Sequence, residues 1–312
     1  MKRAGDILAP QQQSFALTRA EEALVEVAAE LRLNPPTIAE AVFQHSVFCQ
    51  VGLPRRKTDS LRFERTSGAV SILVKAGELR ERGAWVQQPL PWGPKPRLIL
   101  IYAISEALRN RSPLVSIGRT AAEFMARVGI EPQGSEYRAV NRQLKALAAC
   151  DIKIGIGYAG MDRTKPLPTF DHIDLLARNP HQQTLWTQEI EFTAQFFDSI
   201  LEHAVPLAEA AIRGLRGSAL ALDVYTWLAH RLHRVAANGT RISWQAIQAQ
   251  FGQEYGTTRS FRQEFRATLK TVLEVYPDAH VRSGRDGLML LQSPPPIPPR
   301  PVITVPKLPG RR

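Results

Sequence analysis

Apolar positions along this chain recur at two periods, and glycine or proline marks most of the places where one gives way to the other. Between Thr18 and Leu33 the residues Leu24, Val25, Ala28 and Leu31 return at helical spacing, which predicts an amphipathic helix stopped by Asn34, Pro35 and Pro36. The residues before it are Gln-rich and unpatterned. From Leu61 to Gln88 the period shortens: Ser71 to Val74 and Ala84 to Gln87 are β-prone, with turns at Gly68, Gly77 and Gly83, predicting a small antiparallel sheet.

Beyond Arg97 one order of elements occurs twice: long helix, short strand, helix, glycine turn, helix, hairpin. The first copy reads Arg97 to Asn110, Leu114 to Ile117, Thr120 to Val128, Ser135 to Ala149, then strands near Ile152 to Gly157 and Trp186 to Phe192. The second reads Ala219 to Val235, Thr240 to Ile242, Trp244 to Phe251, Ser260 to Val275, then Ala279 to Arg282 and Leu288 to Leu291. Tyr102 and Tyr225, like Gly129 and Gly252, stand 123 residues apart, while Tyr137, Arg138 and Arg142 match Phe261, Arg262 and Arg266 at 124. Self-similarity of this kind argues for a duplicated unit, and helix, turn, helix, hairpin is the winged form of the helix-turn-helix.

The expected fold class is therefore α+β, mainly helical: two tandem winged-helix domains preceded by a small antiparallel sheet and an N-terminal helix. Residues 1–46 would hold the tail and amphipathic helix, 47–205 the first winged-helix domain with its leading sheet, and 206–292 the second. Residues 293–312 are Pro-rich and basic, a composition that cannot build a core, and are expected to be disordered.

Charge then narrows the partner. Lys and Arg total 40 against 29 Asp and Glu, a formal net charge of +11, which favours a polyanion. A helix that reads DNA buries one face in its own domain and presents cations on the other at steps of three or four. Ser260 to Val275 fits: Phe261, Phe265, Leu269, Val272 and Val275 form an apolar stripe, and Arg259, Arg262, Gln263, Arg266 and Lys270 form the opposite one, with Glu264 the only acid in mid-stretch. A cap at Ser260 pairs it with Gln263; a cap at Thr257 or Thr258 instead puts Arg259 inside the first turn. Ser135 to Ala149 repeats the design with Tyr137, Val140, Leu144 and Leu147 inward and Arg138, Arg142 and Lys145 outward. Gln263 and Asn141 suit adenine edges, and the arginines guanine. Arg282 and Arg285 about a glycine turn, and Arg163 and Lys165 in the first copy's long connection, would add backbone contacts. The stripes do not divide base-reading from phosphate-binding residues.

Other chemistries are set aside on spacing. Gly155-Ile-Gly157-Tyr-Ala-Gly160 spells a dinucleotide-binding fingerprint, but Pro166 and Pro168 follow where a helix N-terminus would have to sit. There is no P-loop, so neither a nucleotide nor another cofactor is expected. His230 and His233 lack the carboxylate partner a metal or nicking site needs and read as packed or solvated side chains. Tyr102 and Tyr225 fall on apolar helix faces rather than beside a histidine pair. No enzyme is expected. Cys49 and Cys150 are too few for a disulfide framework. The longest apolar run, Leu98 to Ile104, is far short of the roughly 20 residues a span requires, and no apolar region follows the basic start, so a cytoplasmic protein without membrane contact is expected.

At Phe48-Cys-Gln-Val-Gly-Leu-Pro-Arg-Arg56, Gly93-Pro-Lys-Pro-Arg-Leu-Ile-Leu-Ile-Tyr102, Ser218-Ala-Leu-Ala-Leu-Asp-Val-Tyr-Thr-Trp227 and Val275-Tyr-Pro277 the chain resembles the RepA family of plasmid replication initiators, over roughly Val47 to Pro294. Trp92, where a tyrosine would be expected, is a departure from that pattern. The resemblance implies binding to repeated sites (iterons) in double-stranded plasmid origin DNA, local opening of the duplex, and recruitment of the host initiator and replicative helicase. It also implies a homodimer that represses its own promoter. None of these motifs is catalytic. A winged-helix repressor with no replication role, or an origin-nicking enzyme, stays open on the residues alone.

Overall fold

The computed structural model describes residues 18–118, 120–158, 161–176 and 186–298. Helix α1 (Arg19–Leu33) starts at a capping box in which Glu21 N donates to Thr18 Oγ1 (3.3 Å) and Thr18 N donates back to Glu21 Oε2 (2.8 Å). It buries Val27, Ala28 and Leu31 against a later helix rather than on a sheet. Strand β1 (Ala41–His45) and the short α2 (Ser46–Gln50) follow, then β2 (Arg62–Ser67), β3 (Val70–Lys75), β4 (Glu78–Glu81) and β5 (Ala84–Gln87). The first repeated unit runs α3 (Pro94–Asn110), β6 (Leu114–Ser116), α4 (Ala121–Arg127), α5 (Gly134–Ala149), β7 (Asp151–Tyr158), β8 (Met161–Pro166), β9 (Phe170–Leu176) and β10 (Trp186–Phe192). After α6 (Ala194–His203), β11 (Ala204–Ala208) and α7 (Glu209–Leu215), the second unit runs α8 (Ala219–Arg231), β12 (Thr240–Ser243), α9 (Trp244–Phe251), α10 (Thr258–Glu274), β13 (Val281–Ser283) and β14 (Gly287–Leu290).

Two three-stranded sheets share one topology. In the first the order is β6-β10-β9, and in the second β12-β14-β13, so in both units the hairpin's second strand lies between its first and the short strand that precedes the helix pair. This corrects the sequence reading of the first hairpin. The strand near Ile152 to Gly157 does not pair with Trp186 to Phe192. As β7 it joins a four-stranded sheet of order β2-β3-β7-β8, with Ile72 facing Ile154 and Val74 facing Ile152 across the register. All four of those side chains are buried, which is the physical reason: an alternating apolar strand pairs wherever its buried face is continued. The β7–β8 ribbon is thus an insertion between α5 and the β9–β10 hairpin in the first unit alone. Ala84 to Gln87 also leaves the expected sheet, pairing only with β4.

One continuous core runs beneath both units, from Ile72 and Val74 through Ile99, Ile104 and Val140 to Tyr225, Trp227, Trp244 and Phe265. The β1–β11 pair closes the chain on itself between the two units. The expectation of a disordered tail from Ser293 is corrected for its first residues. Ile297 is buried, Tyr276 Oη donates to Pro294 O (2.7 Å) and Ser293 N donates to Leu232 O (3.3 Å), so an apolar anchor and backbone bonds hold Ser293 to Pro298. Residues 299–312, residues 1–17 and Gly160 lie outside the described residues. Gly155 and Gly157 sit in β7, with strand β8 beyond them and not a helix. No helix among the described residues is long and apolar enough to cross a membrane.

Candidate nucleic-acid interface

The better formed of the two candidate surfaces is built on α10. Its N-cap is Thr257, which accepts from Ser260 N at 3.2 Å and so places Arg259 in the first turn. Phe261, Phe265, Leu269 and Val272 are buried, and Phe265 meets Phe251, Phe261 and Trp244 at ring centroids of 5.5, 5.5 and 6.0 Å. This aromatic packing fixes the helix's rotation. Arg259, Gln263, Arg266 and Lys270 are exposed on the other side, and Arg262 is half-buried at its edge.

Two of these arginines are held in place before any ligand arrives. The guanidinium carbons of Arg266 and Arg262 lie 4.9 and 5.7 Å from the ring of Trp244 on α9. Arg266 Nη2 also donates to Gly284 O at 2.9 Å, the same carbonyl that accepts from Trp244 Nε1 at 3.2 Å. One carbonyl in the β13–β14 turn therefore ties together the turn, α9 and α10. Among the described residues neither arginine is in an ion pair with a carboxylate.

Beside them, Arg282 and Arg285 are exposed on the hairpin. Sequence reading missed Arg241. In the sheet register Arg241, Met289 and Arg282 stand in one row across the three strands, so Arg241 and Arg282 share a face. The alternating exposed positions of β12 carried that signal, but only the register says which face they join.

In the first unit the surface is poorer. Arg138 and Arg142 are exposed on α5 as expected. Lys145, expected to face outward with them, is corrected: its Nζ lies 2.6 Å from Glu81 Oε2 on β4, and only 16% of the side chain is exposed. Asn141 is also corrected, because it is buried in the helix's packed face. Arg163 and Lys165 are exposed, but on β8 of the four-stranded sheet and not beside the β9–β10 hairpin. The tip of that hairpin, residues 177–185, is outside the described residues.

Between the surfaces lies a buried ionic cluster that the sequence reading did not assemble. Arg97 on α3 grips Asp223 on α8 with both arms, Nε to Oδ1 at 2.6 Å and Nη2 to Oδ2 at 2.8 Å, and also donates to the carbonyls of Leu53, Pro54 and Gly93 at 2.7, 3.2 and 2.7 Å. Arg55 Nε sits 3.0 Å from Glu254 Oε2, and Arg65 Nη2 sits 3.3 Å from Glu254 Oε1. Arg55 also donates to Phe251 O at the end of α9. Burial pushes Arg65 down to about 10, with the neighbouring Arg55 cation adding to the effect. Gly52 is there because nothing larger fits: a Cβ would come within 2.7 Å of the Asp223 carboxylate. Three of the segments that carry the family resemblance meet at this point.

The groups with other potential chemistry are packed. Burial pushes His230 down to about 4, and its Nε2 accepts from Arg234 Nη1 at 2.8 Å. Tyr225 is fully buried, its hydroxyl accepting from Ala208 N at 3.0 Å. Cys49 and Cys150 are both free thiols. Among the described residues no group of three or more His, Cys, Asp and Glu side chains is placed to hold a metal ion.

Comparison with known proteins fits this geometry. No curated protein matches the sequence. Among solved structures, the fold resembles a selenomethionine derivative of domains 2 and 3 of RctB, with a TM-score of 0.51 at 8% identity, covering 79% of this chain and 98% of that one. A second structure of RctB domains 2–3 gives 0.45 at 8% identity over 78% and 87%. At that identity the likeness is one of fold alone. A family model described as plasmid encoded RepA protein matches residues 90–247, from just before α3 into α9, which takes in Arg97, Asp223 and Trp244. That match spans half of the chain, and with it the chain belongs to the plasmid encoded RepA protein family.

Proposed function

We propose that this chain is a plasmid replication initiator that binds origin DNA through two tandem winged-helix domains, with α5 and α10 as the helices that enter major grooves. The observation that carries the reading is the outward face of α10, where Arg262 and Arg266 are pre-oriented on Trp244 and, among the described residues, pair with no carboxylate. A guanidinium held in place loses less freedom on meeting a guanine edge or a phosphate. Shared strand order in the two three-stranded sheets supports the winged-helix reading, with domains spanning 47–205 and 206–292.

On this reading the protein recognises repeated sites (iterons), promotes opening of the adjacent duplex, recruits the host initiator and replicative helicase, and as a homodimer represses its own promoter. It works in the bacterial cytoplasm and carries no catalytic centre of its own. Hydroxyl-radical footprinting on the DNA flanking its gene tests this. The expected outcome is protection of roughly 20 base pairs over two successive major grooves on one face of the duplex. Protection of a single groove would remove the two-reader mechanism. Nicked or covalently attached product from supercoiled origin DNA with a divalent metal would make the protein an enzyme.

A further inference from the structure

Two helices reading successive grooves work only if something fixes the distance and phase between them, and the contacts trace a path that does this. From α5, Glu136 pairs with Lys95 on α3 at 2.9 Å, and Gln143 Oε1 accepts from Trp92 N just before α3 at 2.8 Å. From α3, Arg97 holds Asp223 on α8, which packs against α10. By a second route Arg55 and Arg65 hold Glu254, in the turn between α9 and α10. Apart from the packing of α8 on α10, each link is an ion pair or hydrogen bond between named polar groups. Apolar packing lets helices slide by fractions of an ångström, whereas a two-armed guanidinium–carboxylate pair has one geometry.

We propose that the buried Arg55–Arg65–Arg97–Asp223–Glu254 cluster is the spacer of the protein, setting the separation and phase of α5 and α10 and hence which spacing between two half-sites it accepts. The composition of the cluster favours that role over simple stabilisation. Three guanidiniums face two carboxylates, and among the described residues Arg65 Nε has no hydrogen-bond partner and Arg55 Nη1 has only the Asp223 carboxylate 4.0 Å away, so charge and donors are buried at a cost that hydrophobic residues of similar size would avoid. Buried ion pairs are weak contributors to stability, and their best-attested use is to fix one arrangement among several. The residues act through α5 and α10 and not on DNA, so they are positioning residues. This inference rests on the two-reader function proposed above.

The test uses the full chain and a duplex it selects from a randomised pool, with base pairs then added or removed between the two protected grooves. Each base pair changes the phase by about 34°, so wild-type affinity should fall about tenfold or more for a one-base-pair change in either direction. Asp223→Asn should lose about tenfold on the selected duplex, keep its affinity for a single half-site within about twofold, and show a spacing penalty reduced to about twofold. Glu254→Gln, a milder change at a residue that is not fully buried, is read in the same way. Ile200→Ala in α6, remote from the cluster, should lower the unfolding midpoint yet keep the full spacing penalty. A wild-type spacing penalty in folded Asp223→Asn or Glu254→Gln overturns the proposal, as does a wild-type protein indifferent to spacing. A footprint of one groove would instead remove the two-reader function itself.

Discussion

The two repeated units share a strand order and a helix order, yet they equip their third helices, α5 and α10, differently. In the second, α10 lies on four buried apolar residues, with two arginines resting on Trp244 and one of them tied to the hairpin turn through Gly284 O. In the first, α5 has Arg138 and Arg142 exposed, but its third cation is spent on Glu81 and its amide is buried. The first unit also takes on structural duty, because α5 holds the β4–β5 ribbon and anchors the start of α3. Units of one topology can therefore diverge into one with a pre-organised outward face and one whose corresponding helix doubles as framework. The helix with the richer outward chemistry is the one with fewer obligations to the rest of the fold.

That contrast can be broken or sharpened by measurement. The largest effect is expected at the joint between the units: Asp223→Ala or Arg97→Ala strands a buried opposite charge and should cost about 3–5 kcal/mol in urea unfolding. A loss confined to one unit's transition would show that the units fold separately and share no core. Next comes acid. His45 is buried against Phe196 at the first unit's edge, with Val47 N donating to its Nδ1, and burial holds it down to about 4, with His203 and Lys165 contributing. Because the folded value lies below the ordinary 6.5, stability present above pH 6.5 is lost as pH falls toward 4, by about 3 kcal/mol for this group. His45→Gln should flatten that part of a stability–pH curve, and an unchanged curve would mean that other groups dominate.

Arg262→Ala and Arg266→Ala should each weaken specific DNA binding by about 1–3 kcal/mol in titrations at fixed salt, while leaving the protein folded. Equal loss on random duplex would make them phosphate contacts. Trp244→Phe keeps a ring beneath the arginines but removes the bond to Gly284 O, with an expected loss of about 1 kcal/mol in specific binding. Smallest is Lys145→Ala, paired inside the protein, which should leave DNA affinity within about 0.5 kcal/mol while Arg142→Ala costs more. A large effect at Lys145 would mean that α5 is the freer reader and would reverse the comparison.

Much of this was legible one element at a time. The apolar stripe Phe261, Phe265, Leu269 and Val272 names the buried face of α10 from sequence alone, because helix geometry converts spacing of three and four into a face. Arg138, Arg142, Arg259, Gln263, Arg266 and Lys270 are outward for the same reason. The Asn and Pro punctuation stops α1 at Asn34 as expected, whereas α3 starts at Pro94, three residues before the expected Arg97, after Gly93 with its positive φ of 82°.

What local pattern determined, then, was which residues form elements and which face of each is buried, since both follow from backbone periodicity and the exclusion of water from apolar side chains. Which elements meet was decided only by the tertiary structure. A period-two strand does not name its partner, so β7 was free to leave the hairpin and join β3. A cation on a helix does not announce whether an acid lies 64 residues away, as Glu81 does for Lys145, or 126, as Asp223 does for Arg97. Pairings at that separation depend on the whole chain having closed, and for that reason the ionic joint between the two units is absent from any local reading of the sequence.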